Sequence, residues 1–596
     1  MIQNKVTTFM CGIGDEAHMV DDLVLKYTTM KSARAVWEAE VDETRTYIFA
    51  TDTRRTVQPV GEFANSTTIP KLAQIRNNIN TSYEEHLFPN TDWIQWTAED
   101  ADSISKDKAD AIKSYVRTKA EDSGLESVVS QLVEDWTDTG LCAVETYYAK
   151  ETSKDTMGNP VAGYEGPRAA RIDPNDVVYD VTAADLESAM KCVRSVHTMA
   201  SLKKLSVENP QLLSQEMFQT IKARREQARG ALMGATGKPT YLMNQLRRAG
   251  HGATIDMVQR DEFELLTFYG DFYDDKTDTL YANYRIIVLD RAVILDKQPI
   301  SSFTGKHSIK LAVWERREGT LAPMGPLARI IGLQYKLDKL ENIRSDKFDM
   351  LANPPLVERG DVQQIGVRGK PGCRYKVEED GDVRELTESA VALNADTQIQ
   401  FTLQLMDELA GNPKESIGQR TPGEKTKFEV QLLDAGQNKL FRNKIKRFEK
   451  EILSPILQEY LAIGRQNLSS TDLIRVLDDD LGVVNMTDVT ADDIAGRGKL
   501  RARGSSIFAQ KANALQNIIT IQQSVGNLIA PHTSTAKLAK TVEALADLGE
   551  YGIYIKGIGI QEQNELKRMA NVSADNSTEV DLTEASVKND PQISNP

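Results

Sequence analysis

At 596 residues the chain exceeds what a single hydrophobic core organises, so two to four structural units are expected. Apolar content of 40% and charged content of 27% are those of a soluble globular protein. A formal charge of −15 argues against a general nucleic-acid coat, though not against a wall along which nucleic acid slides on a few basic contacts.

The first expected element is a helix over about 16–45, where Leu23, Leu25, Tyr27, Met30, Ala33, Val36 and Trp37 recur at mixed helical spacing. A second covers 69–88 and closes at Phe88-Pro89. Two more fill 101–138, divided near Gly124. Ala143–Lys150 alternates as a strand does. Arg171-Ile172-Asp173-Pro174-Asn175-Asp176 then signals a turn ahead of Val177-Val178-Tyr179. Residues 201–229 read as helix with a basic run at Lys222, Arg224, Arg225 and Arg229, followed by a glycine-rich patch. From Glu262 to Trp314 the pattern is β, with a turn at Asp274–Thr279. Val293-Ile294-Leu295 and Ile309, Leu311 and Val313 complete an expected antiparallel sheet.

Long helices follow. Proline at the first helical position places one start at Gly325-Pro326. Leu333, Leu337, Leu340, Ile343, Phe348 and Leu351 form its apolar stripe, and Asn353-Pro354-Pro355 stops it. A small β-containing insert spans 356–388. Leu393–Ala410 returns to helix, with Ile399, Leu403, Met406 and Leu409 on one face. A loop rich in glycine, proline and lysine follows, Asn412–Glu424. A longer helix is expected over Lys425–Ile463, with Phe441, Ile445, Phe448, Ile452, Ile456 and Tyr460 as its stripe and a kink at Pro455. Beyond a polar region at 466–499, helices are expected over 507–529 and 535–548. The final 26 residues hold no aromatic. Asp575, Glu579, Asp581, Glu584 and Asp590 against Lys588 give that tail −4, the composition of a disordered segment.

Signals for chemistry are weak. Gly234-Ala235-Thr236-Gly237-Lys238-Pro239 departs from a phosphate-binding loop: Leu232 stands where the first glycine belongs, and Pro239 where a magnesium-binding hydroxyl belongs. Cys11, Cys142, Cys192 and Cys373 form no CxxC pair and read as reduced thiols of a cytosolic product. His18, His86, His197, His251, His307 and His532 are scattered, without metal-ligand spacing. Asp478-Asp479-Asp480 and Asp488, Asp492 and Asp493 read as solvated surface before they read as a magnesium site. No run of 18 apolar residues occurs, so no transmembrane helix is expected, and the N-terminus lacks a signal-peptide core. Accordingly no catalytic residue, cofactor or metal is assigned, and the chain is not expected to be an enzyme.

Basic clusters are more specific. Lys439, Arg442, Lys444, Lys446, Arg447 and Lys450 against Glu449 give +5 within twelve residues of the long helix. Either these charges face solvent and acidic neighbours, or they meet nucleic acid or another subunit. Arg497, Lys499, Arg501 and Arg503, interleaved with Gly496, Gly498 and Gly504, mark a flexible connector or a phosphate contact.

The order of these parts across 69–570 resembles that of portal proteins, the head-to-tail connectors of short-tailed, podovirus-type bacteriophages. The resemblance is carried by His86-Leu87-Phe88-Pro89, by Ile172–Asp180, by a β region ending near Trp314, and by the helix ending in Asn353-Pro354-Pro355. Gln419-Arg420-Thr421-Pro422-Gly423-Glu424 before the long helix is similar to the family's tunnel-loop region, and Ile494-Ala495-Gly496-Arg497-Gly498 precedes the C-terminal helices. The resemblance implies an α+β portal fold assembled as a homo-oligomeric ring, usually of twelve subunits, at one capsid vertex of the virion. It implies a wing over 1–322 and 425–465, stem helices over 323–345 and 393–410, a clip over 346–392, a tunnel loop over 411–424 and a crown over 466–570.

By the same resemblance, double-stranded DNA passes through the ring during genome packaging and ejection. Lys414, Arg420, Lys425 and Lys427 would contact it transiently, with Arg497, Lys499, Arg501 and Arg503 at a basic mouth of the crown. Glu358, Arg359, Arg374, Lys376 and Glu378 of the clip would face partners. Those partners are a separate terminase motor and then tail adaptor or nozzle proteins, with the major capsid and scaffolding proteins around the ring. The alternative is another structural virion protein, internal or minor capsid; a nuclease or NTPase would need a constellation that this sequence lacks.

Overall fold

The structure is a computed structural model. It describes residues 12, 16–49, 67–88, 93–99, 106–154, 160–208, 210–233, 260, 262–300, 307–352, 356–359, 374–377, 395–410, 443–468, 472–477, 484–490, 492–502, 517–518, 538 and 541–542. The fold is mixed helix and sheet, of the α+β kind. Two compact units are present: Met1–Thr471 with Thr490–Ser505, and Asp472–Val489 with Ser506–Pro596.

The expected first helix is two, α1 (Ala17–Ala33) and α2 (Ala35–Ile48). They break at Arg34, where φ is −99° and ψ 2°. Its buried guanidinium donates to the carbonyls of Pro174, at 2.8 Å, and Val177, fastening the break to the turn that the sequence marked. Leu25 and Val36, counted in the apolar pattern, are exposed instead. Then come α3 (Lys71–Leu87), strand β1 (Ile94–Ala98), α4 (Lys106–Asp122) and α5 (Leu125–Thr139). Gly124, at φ +69°, makes the expected break between α4 and α5, a left-handed position that glycine takes without steric cost.

Strands β2 (Leu141–Lys154) and β3 (Pro160–Ile172) form a long hairpin; β4 (Val177–Tyr179) and β5 (Lys191–Thr198) follow. The helical region expected at 201–229 is divided into α6 (Met199–Glu208) and α7 (Gln215–Met233). Strands β6 (Glu262–Asp274), β7 (Thr279–Leu289) and β8 (Val293–Pro299) extend β4 and β5 into a five-stranded antiparallel sheet of order β4-β5-β6-β7-β8. Strand β9 (Ile309–Val313) leaves that sheet, contrary to the sequence reading. It pairs antiparallel with β2, giving a second sheet of order β3-β2-β9. The transfer buries both faces of β9: Leu311 and Val313 join one core cluster, while Ala312 is fully buried behind them. Met19, Val20, Leu23 and Tyr27 of α1 cover the five-stranded sheet at Val178, Phe268 and Val288.

Past two short strands, β10 (Glu315–Arg316) and β11 (Pro323–Met324), Pro326 caps a 3₁₀ turn at Leu327–Arg329, and α8 runs over Ile331–Ala352. The expected start at Pro326 therefore belongs to the 3₁₀ turn. Strands β12 (Leu356–Arg359) and β13 (Arg374–Val377) make a small parallel pair, and α9 covers Ala395–Ala410. Residues 443–448 are helical, Glu449–Leu453 form a π segment, and α10 covers Ser454–Asn467. The wide turn ends at Leu453, two residues before Pro455, which has no N–H to give its preceding turn; the π segment stands where a kink was expected. Ile445, Phe448, Ile452, Ile456 and Tyr460 are all fully buried, as their spacing requires.

One aromatic hub ties these elements together. Trp136 of α5 packs against Trp314 at 4.5 Å, Phe448 at 5.1 Å and Tyr83 of α3 at 5.7 Å between ring centroids. Two glycines allow the backbones to close around it. Gly140, at φ +77°, caps α5 directly against the backbone of Gly325, leaving no room for a side chain. A Cβ on Gly464 would meet the Tyr115 hydroxyl at 2.5 Å.

Strand β16 (Gly498–Ala502) pairs antiparallel with β1, from Ile94↔Ala502 to Ala98↔Gly498. In the second unit, β14 (Asp472–Leu477) and β15 (Val484–Val489) form a hairpin within the region read as polar. Of the helices expected over 507–529 and 535–548, residues 517–518, 538 and 541–542 are described, all helical. The expected acidic tail lies outside the described residues.

Candidate assembly face and nucleic-acid interface

α8 and α9 pack as an antiparallel pair. Arg344 of α8 reaches Asp396 at the start of α9 (2.9 Å), while Gln334 and Asp407, near the opposite ends, both meet residues 69–72. Ala395, Ile399, Thr402 and Met406 recur at four, three and four residues and form the buried side of α9. Leu409, expected on that face, is exposed.

α8 differs from its reading. Leu337 is the one member of the expected stripe that is buried; Gln334, Asp338, Glu341 and Asp346 supply the rest of the inward side. The polar residues clasp a strap, residues 67–72, that leads into the first turn of α3. Gln334 Nε2 donates to the Ile69 carbonyl at 2.7 Å, and Gln334 Oε1 accepts from the Leu72 amide at 3.3 Å. Asp338 Oδ1 accepts from the Ile69 amide at 3.2 Å and Asn342 Oδ1 from the Thr67 amide at 2.8 Å. The sequence reading missed these residues. Their signal was present as polar side chains at every fourth position, Gln334, Asp338 and Asn342, which one helix face brings into line. Burial raises the Asp338 carboxyl to about 6.

Apolar side chains of both helices are open to solvent: Phe348 is 59% and Phe401 58% exposed, and Ile343, Leu351 and Leu409 are exposed too.

The second candidate surface is the β1–β16 ribbon. The sequence left Arg497, Lys499 and Arg501 in a connector or a phosphate contact, and the structure puts Lys499 and Arg501 in a strand, with Arg497 just before it. Period-two alternation buries Leu500 and Ala502 and exposes Arg497, Lys499 and Arg501 on the opposite side. Lys499 pairs with Glu99 at 2.9 Å, and Arg501 lies across from Gln95. Gly498 is required here, because a Cβ would meet the Trp96 ring at 2.5 Å. Arg503 lies outside the described residues.

The basic long helix is partly absorbed into packing. Lys444 donates to the Trp314 carbonyl at 2.7 Å and sits over its ring, and Arg447 reaches the same carbonyl while pairing with Glu451 at 2.9 Å. Lys446 and Lys450 are exposed or nearly so, whereas Glu449 is buried. Lys439 and Arg442 lie outside the described residues, as do Lys414, Arg420, Lys425, Lys427 and the whole expected tunnel loop. In the segment expected to be the clip, Glu358 and Arg359 fall on β12 and Arg374 and Lys376 on β13; the parallel register sets Glu358 opposite Lys376. Glu378 lies outside the described residues.

Ionisable groups elsewhere are mostly occupied with each other. Glu264 accepts from Arg194 and Arg291, both at 2.7 Å, and these pairs hold its carboxyl down against the burial that would raise it. His18 meets Asp274 at 2.9 Å, and His197 lies between the hydroxyls of Ser195 and Ser201, each at 3.1 Å. Burial raises the Cys142 and Cys192 thiols. A cleft of about 540 Å³ is lined by Phe88, Trp93, Leu125 and Val129, but its polar rim is internally paired, Ser130 with Glu84 and Arg117 with Glu121. Among the described residues no group of three or more His, Cys, Asp or Glu is placed to hold a metal, and no helix is long and apolar enough to cross a membrane. No family model matches this chain, and no curated protein matches it.

Proposed function

We propose that the protein is a portal-type ring subunit: a non-enzymatic head-to-tail connector at one capsid vertex, through which double-stranded DNA enters and leaves a phage particle. The observation that carries this reading is the α8–α9 pair. It is an antiparallel helical hairpin interrupted by a small β insert, and it holds polar groups inward while Phe348 and Phe401 stay in water. A chain that acts alone gains nothing from that arrangement. Copies related by rotation would bury each other's exposed residues through a heterologous interface that closes on itself.

In this reading the β insert is the clip that meets terminase and then the tail adaptor, while capsid and scaffolding proteins surround the ring. DNA contacts are phosphate contacts without base recognition, which permit sliding. The net charge of −15 fits a channel that holds DNA weakly.

The test is the mass and shape of the purified protein. Light scattering should give about twelve times the 66.3 kDa of one chain, and negative-stain images should show rings with a central channel. A strict monomer under all assembly conditions overturns the reading. Closed particles without a channel would favour an internal or minor capsid protein instead.

A further inference from the structure

We propose that Asp338 is a proton-operated clasp: it holds the strap 67–70 against α8 more tightly when its carboxyl is protonated than when it is ionised. The inference concerns a single chain and does not depend on how copies assemble.

The geometry is that of one acceptor with two donors and a second oxygen left over. Asp338 Oδ1 accepts from the Ile69 amide at 3.2 Å and from Gln334 Nε2 at 2.8 Å. Asp338 Oδ2 is buried without a hydrogen-bond partner, in a residue that is 0% exposed. Among the described residues no cation is paired with it. Lys71, at the start of α3, is held by Asp407 of α9 at 3.0 Å. On α8 itself Glu341 accepts from Arg344 at 2.6 Å, Arg344 also reaches Asp396 of α9, and Asp346 lies two turns further on. From α2, Glu43 is taken by the Tyr335 hydroxyl. Burial without a counter-charge therefore raises the carboxyl to about 6, the two donors pulling the other way.

Protonation on Oδ2 removes the buried charge and leaves Oδ1 free to accept from both donors. The clasped state thus binds the proton more tightly than a released, solvated carboxyl does. It is favoured at low pH and loses that advantage as pH rises through about 4 to 6.

The test is hydrogen exchange at the Ile69 amide in the full-length protein, with the intrinsic pH dependence of exchange divided out. Its protection should fall roughly tenfold between pH 5 and pH 7.5, following the difference in carboxyl pKa between clasped and released states. Asp338→Asn keeps the acceptor at Oδ1 and cannot ionise. It should show flat, high protection over the same range, while Asn342→Ala should loosen the Thr67 amide and leave the pH slope at Ile69 intact. Wild-type protection that is flat or rises with pH overturns the clasp. So does an Asp338→Asn protein with the wild-type slope. The wild-type measurement decides alone if that variant does not fold.

Discussion

Helices α5 and α8 lie in the same unit and are held in place differently, α5 mainly by large apolar side chains and α8 mainly by polar ones. α5 turns Leu125, Val129, Leu132, Val133 and Trp136 inward. α8 turns Gln334, Leu337, Asp338 and Glu341 inward and leaves Ile343, Phe348 and Leu351 in water. The first helix is held by apolar area, at about 1.5–3 kcal/mol for each fully buried large side chain. The second is held by directional bonds to one strap of backbone, each worth about 1 kcal/mol net. α8 is therefore located accurately but anchored weakly, and its unused apolar area is available to another surface. On the ring proposed above, that surface would be another copy of the chain.

The contrast can be broken at either helix. Trp136→Ala empties the aromatic hub against Trp314, Phe448 and Tyr83, and should lower stability by about 3–5 kcal/mol in denaturant melts. Leu337→Ala removes the one fully buried leucine of α8. The loss should be smaller, about 2–3 kcal/mol, because the surrounding groups are hydrogen-bonded elsewhere. Phe348→Asp with Phe401→Asp should change the melting of the isolated chain by less than about 0.5 kcal/mol per site, as exposed substitutions do. The same pair should abolish large assemblies in light scattering. If it also unfolds the chain, those two residues belong to the core of one subunit, and the distinction between the helices fails.

The helices most legible in the sequence were those whose apolar period matched their burial. In the long helix Ile445, Phe448, Ile452, Ile456 and Tyr460 were read correctly, because three- and four-residue spacing and a single buried side leave one solution. The turn before Val177 and the break at Gly124 were legible through proline, aspartate and glycine chemistry. α8 was legible as a helix but not in its orientation. Its leucines suggested one face, and bonds to residues more than 260 positions earlier selected another. β9 alternates like its predecessors, and nothing local told that it would pair with β2. The ribbon at Arg497–Arg501 was hidden by its glycines, which read as a loop, whereas Gly498 lies in the strand and admits the Trp96 ring. Of the candidate site, the basic alternation was visible in the sequence, whereas the Asp338 clasp required the fold.

The pairing of β1 with β16 has a consequence for synthesis. Ala98 is opposite Gly498, so about 400 residues must be made before the partner strand exists. At roughly 5–20 residues per second, the ribosome takes on the order of 20–80 s to supply it. Throughout that interval Ile94 and Trp96 wait beside an unfilled edge, exposed to chaperones and to aggregation with other nascent chains. The unit can be sealed only once residues 498–502 have been made, so a product truncated before residue 498 would be born with that edge open.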